Sequence, residues 1–160
     1  MNQHTYSGID KVIIFTLDTL LYALPLKNVI KVIHALEIRE IPKAPEIIRG
    51  IINVKGEIIP VVDMRKRFEM KVREIIPDDN FILCDTGKRH IALWIDEVTD
   101  VKEIISGNYL ETKETLSYAQ FIKGVAKIEE DIILIYDLEQ CLNLNEEREL
   151  EKALSSNKNK

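Results

Sequence analysis

The sequence predicts an all-β fold built from two related small β-barrels, and three observations predict it. The 160-residue chain contains 25 isoleucines and 10 valines but only 16 leucines and 7 alanines. Side chains branched at Cβ favour the pleated surface of a strand over a helix. Short apolar runs bounded by turn residues recur along the chain. The two halves of the chain also match each other in order, which is typical of an internal repeat.

The first half predicts five strands followed by a short helix. Asp18 and Thr19 form one turn and Lys55 and Gly56 another, and the prolines between residues 41 and 45 separate the third strand from the fourth. Asp63 is placed to cap a helix that ends at about residue 67 or 68. The predicted strands cover residues 11–17, 20–24, 29–33, 47–54 and 57–62.

The second half predicts the same order of elements. A looser stretch covers residues 106–120, and Asp137 is placed to cap a second helix, which runs to about Leu144. The last residues, 155–160, lack apolar anchors and are expected to be disordered. The predicted strands of this half cover residues 80–85, 89–95, 98–105, 121–128 and 131–136.

The two halves match position by position. Residues 50–64 correspond to residues 124–138, and residues 22–32 correspond to residues 91–101. Each half would hold about five short strands, a number suited to a small closed barrel with few exposed edges. The expected first barrel spans about residues 11–75 and the second about 78–144, with exchange of strands between them left open. The flanking segments are an N-terminal tail, 1–9, expected to be disordered, and an acidic tail, 145–160, expected to be helical and then disordered.

Charge and hydropathy exclude several classes of protein. The net charge of −5 disfavours general nucleic-acid binding. Residues 1–75 carry 12 basic and 9 acidic side chains, whereas residues 76–160 carry 10 and 18, which favours two faces for two different partners. No apolar run approaches about 18 residues and no secretory signal is visible, so a cytoplasmic protein without direct membrane insertion is expected.

The residues that carry most enzyme chemistry are scattered. His4, His34 and His90 do not stand at metal-ligand spacing with cysteine or acidic residues. Cys84 and Cys141 lack a basic activator at fixed spacing and are expected to be reduced core residues. We therefore expect no catalytic residue, no metal and no cofactor.

A basic cluster supplies the main alternative. Such clusters contact nucleic acid or anionic membrane surfaces. No aromatic residues are interleaved with this one, and a short helix after a strand normally has a charged outer face, so we expect a solvated surface here. The cluster consists of Arg65, Lys66, Arg67, Lys71 and Arg73.

The motif from Gly50 to Phe68, which contains the Lys55-Gly56 turn and Asp63, resembles the core motif of the CheW family of bacterial chemotaxis adaptors. Residues 22–25, 95–101 and 122–125 resemble other parts of that family. The resemblance covers about residues 10–144. It implies two SH3-like β-barrels packed around a shared core, in a scaffold that couples chemoreceptors to a CheA-type histidine kinase.

The resemblance also implies sites for the partners. The groove between the barrels would take the cytoplasmic tip of a receptor's helical hairpin, and the kinase's regulatory domain would dock on an exposed barrel end. Lys55 stands where the family usually has arginine, so the charge is kept but the planar fork is lost; Glu69 stands where the family often has glycine. The residues implied are Asn53, Lys55, Gly56 and Val29 for the receptor, and Leu26, Lys31 and Gly50 for the kinase.

The expected protein is a monomer in isolation that receptors recruit to the inner face of the membrane, where it joins larger arrays. One alternative is a CheW-like scaffold of another chemosensory pathway, one that controls surface motility or gene regulation. A less favoured alternative is a β-barrel that binds a small ligand or nucleic acid.

Overall fold

The described residues of the computed structural model, 11–105, 107–111 and 121–158, form eleven strands and two α-helices. Two single 3-10 turns, Leu26–Asn28 and Leu138–Gln140, accompany them. The predicted N-terminal tail and most of the loop 106–120 lie outside these ranges. The helices are α1 (Met64–Arg67) and α2 (Leu144–Lys158). The strands are β1 (Lys11–Leu17), β2 (Leu20–Pro25), β3 (Val29–His34), β4 (Ile48–Val54), β5 (Glu57–Asp63), β6 (Asn80–Asp85), β7 (His90–Ile95), β8 (Glu97–Glu103), β9 (Tyr109–Glu111), β10 (Ile122–Ile128) and β11 (Asp131–Tyr136).

The strands pair into two mixed sheets. One has the order β3-β6-β7-β5-β4, and we call it the first barrel. The other has the order β8-β1-β2-β11-β10-β9, and we call it the second barrel. Each contains one parallel pair, β5 with β7 and β2 with β11, and its other pairings are antiparallel. The backbone of Arg39 bonds to that of Ile51 and so covers part of the outer edge of β4.

The division of the strands between the two sheets does not match the boundary between the barrels that the sequence predicts at residues 75–78. The first barrel is the continuous stretch from β3 to β7, and it is inserted between β2 and β8 of the second barrel. Strands β1 and β2 therefore pair with the second half of the chain, and β6 and β7 pair with the first half. The exchange that the sequence left open occurs in both directions. The second barrel also contains β9, a strand that the sequence did not predict.

Three buried apolar clusters explain why β6 and β7 are nearly continuous apolar runs rather than alternating ones. Phe81 and Trp94 point into the interior of the first barrel, whereas Ile82 and Leu93 belong to a cluster shared by both sheets. A third cluster, which includes Val12 and Ala126, fills the second barrel. Strands buried on both faces have this composition. Two barrels on a shared core, as the sequence predicted, are confirmed.

The first predicted helix is confirmed. The side chain of Asp63 accepts hydrogen bonds from the backbone N–H groups of Arg65 and Lys66, at 3.0 and 3.3 Å, and caps the N-terminus of α1.

The second predicted helix is wrong in both bounds. After Asp137 the chain makes only one 3-10 turn, whose N-terminus receives no capping bond from that side chain. Helix α2 begins instead after Asn143, whose side chain and backbone N–H exchange hydrogen bonds with Glu146, at 2.7 and 2.9 Å, in a reciprocal cap. It continues to Lys158, through residues expected to be disordered, because Leu150 and Ala153 anchor it to the shared core. No helix within the described ranges is both long and apolar enough to cross a membrane.

Candidate protein-interaction site

The turn between β4 and β5 presents a lysine on a well-defined loop. Lys55 and Gly56 both have positive φ, +52° and +92°, as a two-residue hairpin turn of the primed type requires. The Asn53 side-chain oxygen accepts a hydrogen bond from the backbone N–H of Gly56 at 2.8 Å. All three residues are exposed. The ammonium group of Lys55 makes no ion pair with a described residue, so it is available to a partner.

The matching turn of the second barrel has the opposite charge. Glu129 has a positive φ of +57°, close to that of Lys55, but its carboxylate accepts a hydrogen bond from Lys102 Nζ at 2.8 Å. Asp100 lies 3.4 Å from the same ammonium group. The internal repeat therefore presents one basic turn that has no ion-pair partner among the described residues and one acidic turn that is bound to Lys102 of β8.

Polar contacts connect the β4–β5 turn with the neighbouring strand ends. Glu57 Oε2 lies 2.7 Å from His90 Nδ1, and His90 Nε2 lies 3.8 Å from Asp85 Oδ2. The Asn28 side chain donates to the Asp85 carbonyl oxygen at 3.4 Å. The start of β3, the end of β6 and the starts of β7 and β5 thus meet at one end of the barrel. We call this region the hairpin end of the first barrel: Asn28, Val29, residues 53–57, Asp85 and His90.

The structure brings together most of the residues predicted for the receptor. Asn53, Lys55 and Gly56 share the turn. Val29 lies at the same end of the barrel but on the opposite edge strand, with three strands between β3 and β4 in the hydrogen-bonded order. Val29 is half-buried and packs against the shared core.

The three residues predicted to bind the kinase differ in their exposure. Leu26 lies half-buried beside the shared core, and Lys31 is exposed on β3. Gly50 is buried in β4 beneath the backbone of Arg39. Its lack of a side chain serves the packing of β4, and its role in kinase binding stays a prediction.

A buried ion network was missed by sequence reasoning. Arg65 Nη2 donates to Asp96 at 2.5 Å and to Asp18 at 2.9 Å, and its side chain is only 2% exposed. Arg73 donates to Asp96 at 2.8 Å and to Asp79 at 2.7 Å. The cluster expected to be a solvated outer face is therefore in part a junction between the two sheets. These pairs are separated by up to 47 residues, so no local pattern indicates them.

The two cysteines are unsuited to nucleophilic chemistry. Both are buried and free, and burial raises the pKa of the Cys141 thiol to about 11 and that of the Cys84 thiol further still. Both thiols are therefore protonated at neutral pH, and the thiolate is the reactive form. Within the described ranges no three His, Cys, Asp or Glu residues are grouped as metal ligands.

The fold defines the class of protein, a double β-barrel in which the two barrels share one core. The family model of the CheW-like domain matches residues 11–146. The chain therefore belongs to the CheW-like domain family.

Individual relatives are distant in sequence but similar over most of their length. The chemotaxis protein CheW of Rhizobium meliloti is 30% identical, over 68% of this chain and 70% of that protein. The chemotaxis protein CheW of Treponema pallidum is 22% identical, over 88% and 86%. The crystal structure of the scaffolding protein TtCheW from Thermoanaerobacter tengcongensis matches with a TM-score of 0.79 and 31% identity, over 86% of this chain and 94% of that one. The predicted family and fold class are confirmed.

Proposed function

We propose that this chain is a non-catalytic chemotaxis adaptor that couples chemoreceptors to a CheA-type histidine kinase. The observation that carries the proposal is the family match over residues 11–146, on a chain that folds as two barrels around one shared core. The protonated, buried thiols and the scattered histidines support a binding role rather than catalysis.

The receptor would bind at the hairpin end of the first barrel. Lys55 projects from a turn held by Asn53 and Gly56, and its ammonium group has no described partner within the chain. A carboxylate of the receptor, or the carbonyl groups at the end of one of its helices, would pair with that charge. Val29 would add an apolar contact at the groove between the barrels.

The kinase's regulatory domain would bind along β3. Leu26 and Lys31 supply an apolar and a basic contact there, and Gly50 contributes only through the packing of β4.

The protein would be a cytoplasmic monomer in isolation, recruited to the inner face of the membrane through receptors. In larger arrays, many modest contacts would gain strength from multivalency.

A binding experiment with two partners tests the proposal. The full chain is titrated with the cytoplasmic helical-hairpin fragment of a cognate receptor and, separately, with the regulatory domain of a cognate kinase. We expect Lys55→Glu to weaken receptor binding by about tenfold, the effect of losing one charge-assisted contact, and to leave kinase binding unchanged. Lys31→Glu should show the opposite pattern.

The matched control is Lys127→Glu, which makes the same charge change at an exposed position of the second hairpin. It should bind the receptor fragment as the wild type does. Binding of neither partner by the folded wild type would refute the adaptor function. If Lys55→Glu and Lys127→Glu weakened receptor binding equally, the proposed receptor site would be refuted, and the change in net charge would explain the loss of affinity. Capture of a kinase that controls motility or gene expression would assign the adaptor to that pathway.

A further inference from the structure

Helix α2 packs on the core that the two barrels share. Leu150 and Ala153 are buried in the shared core, the same cluster against which Val29 packs. The other described side chains of α2 are exposed or half-buried. The apolar anchor of this helix therefore consists of one leucine and one alanine, with Leu154 beside them. Most of α2 also lies beyond residue 146, where the match to the family model ends.

Three ion pairs flank the apolar anchor. Arg67 Nη2 donates to Glu146 at 2.7 Å, and the guanidinium of Arg67 also lies 4.6 Å from the centre of the Phe121 ring. Arg89 donates to Glu147 at 3.0 Å and to Glu151 at 3.2 Å. An acidic stripe of α2 thus faces two arginines of the barrels, one on α1 and one on the turn between β6 and β7.

The groove under α2 adjoins the hairpin end of the first barrel. Arg89 directly precedes His90, and His90 contacts Glu57 at the foot of the Lys55-Gly56 turn. If a helix of a partner lay along the groove, starting from the Lys55-Gly56 turn, it would meet α2. The partner helix could bind to the same features that now bind α2, namely the apolar surface of the shared core and the side chains of Arg67 and Arg89.

We propose that α2 is an autoinhibitory strap, which occupies the inter-barrel groove in the free protein and is displaced when a receptor helix binds. This inference rests on the proposed function and adds a regulatory step to it. Helix α2 takes part in no strand pairing, so its release leaves both sheets intact. Arg67 and Arg89 then become available to carboxylates of the incoming helix. The partner that fits is an amphipathic helix with a narrow apolar stripe and acidic residues four positions apart, as Glu147 and Glu151 are.

The test weakens the strap in the full chain. Glu147→Gln/Glu151→Gln removes the two carboxylates that hold Arg89 without touching the apolar anchor. If only the open form binds, the apparent affinity rises with the open fraction. We expect the receptor fragment to bind this double variant several-fold to tenfold more tightly in calorimetry, with kinase binding unchanged. Glu149→Gln is the control, because Glu149 is exposed and makes no ion pair with a described residue; its affinity should equal that of the wild type.

Hydrogen exchange on the wild type supplies a second readout that needs no variant. Addition of the receptor fragment should reduce the protection of the amides in residues 144–158. Unchanged or increased protection there would overturn the strap, as would equal or weaker receptor affinity of the double variant. Both results would leave the adaptor function standing if the wild type binds receptor and kinase. If the wild type binds neither partner, the proposed function fails and the strap fails with it.

Discussion

Gly50 and Gly124 occupy matching positions in the two hairpins, but different neighbours exclude a side chain at each. A Cβ at Gly50 would lie 2.6 Å from Ile38 Cγ2 and closer still to the carbonyl oxygen of Arg39. A Cβ at Gly124 would lie 2.5 Å from the ring of Tyr109. In both barrels the neighbouring chain can approach β4 or β10 only because the residue is glycine.

Gly50→Ala should therefore reduce the free energy of unfolding by about 2–3 kcal/mol, because the clash involves backbone that cannot move freely. Urea unfolding measures this loss. Gly87→Ala is the control, since a Cβ there meets nothing within 4 Å and the φ of +94° alone costs about 1 kcal/mol. If the two variants lost equal stability, the close approach of Arg39 would not be the reason for glycine at position 50.

At the scale of elements, residues that match between the two halves of the repeat can have different structural roles. Asp63 and Asp137 match in sequence, and both precede a helical turn. Asp63 is buried and accepts two backbone hydrogen bonds, whereas Asp137 makes no capping bond with its side chain. Burial raises the pKa of Asp137, although the charge of Lys123 and the backbone N–H groups of Glu139 and Gln140 act in the opposite direction. Asp63 thus caps its helix with two hydrogen bonds, whereas the interaction of Asp137 with its turn is weaker.

Asp63→Ala should lower the free energy of unfolding by about 1–2 kcal/mol, the usual effect of removing an N-cap. Asp137→Ala, the matched variant in the second repeat, should lower it by less than half as much. Thermal or urea unfolding of the two variants under one set of conditions makes the comparison. A larger loss in Asp137→Ala would show that its side chain contributes through a contact other than a cap.

At the scale of the whole molecule, the ion network joins the two barrels. Asp96 lies where the chain passes from β7 of the first barrel to β8 of the second, and it contacts both Arg65 and Arg73. Asp79 receives hydrogen bonds from Arg73 and from the Trp94 indole N–H, at 2.7 and 2.9 Å. Burial by itself would raise the pKa of Asp79, but these bonds and the one from the Ile76 N–H outweigh it, so the pKa is lowered.

A carboxyl group whose pKa is lower in the folded state stabilises the fold above its unfolded pKa of 3.8, and that stability is lost as the pH falls through the folded value. Asp79→Asn should lower the free energy of unfolding at pH 7 by about 1.5–3 kcal/mol. The difference from the wild type should shrink as the pH falls from about 5 to 2. Asp78→Asn is the control, because Asp78 is exposed, and it should change stability by less than about 0.5 kcal/mol. A difference independent of pH would exclude the charge of Asp79 as the cause.

Local rules explain how much of the candidate site could be predicted. The β4–β5 turn follows from Lys55-Gly56 between two apolar runs, and Asn53 completes it through a bond to Gly56, three residues away. Whether Val29 lies near this turn depends on the order of the strands in the sheet, and the spacing of residues along the sequence does not reveal that order. The family resemblance implies Gly50 for the kinase site, but its burial beneath Arg39 depends on a segment eleven residues earlier, which no local pattern indicates. The roles of Asn53, Lys55, Gly56, Val29, Leu26 and Lys31 in partner binding stay predictions.

The sequence by itself determined the all-β class, ten of the described strands, the first helix, the repeat and the family. The strands and the helix depend on residues close together in the chain, namely β-branched runs, turn residues and a cap, and the repeat and the family can be recognised by comparing segments without knowing how they pack. Only the tertiary structure decided the exchange of strands between the barrels, the inter-barrel ion network and the length of α2. Strand exchange depends on which faces can be buried together, and Arg65 meets Asp18 and Asp96 only after the sheets have packed. Leu150 and Ala153 stabilise α2 only where the shared core receives them, so the tail that was expected to be helical and then disordered is a docked helix as far as Lys158.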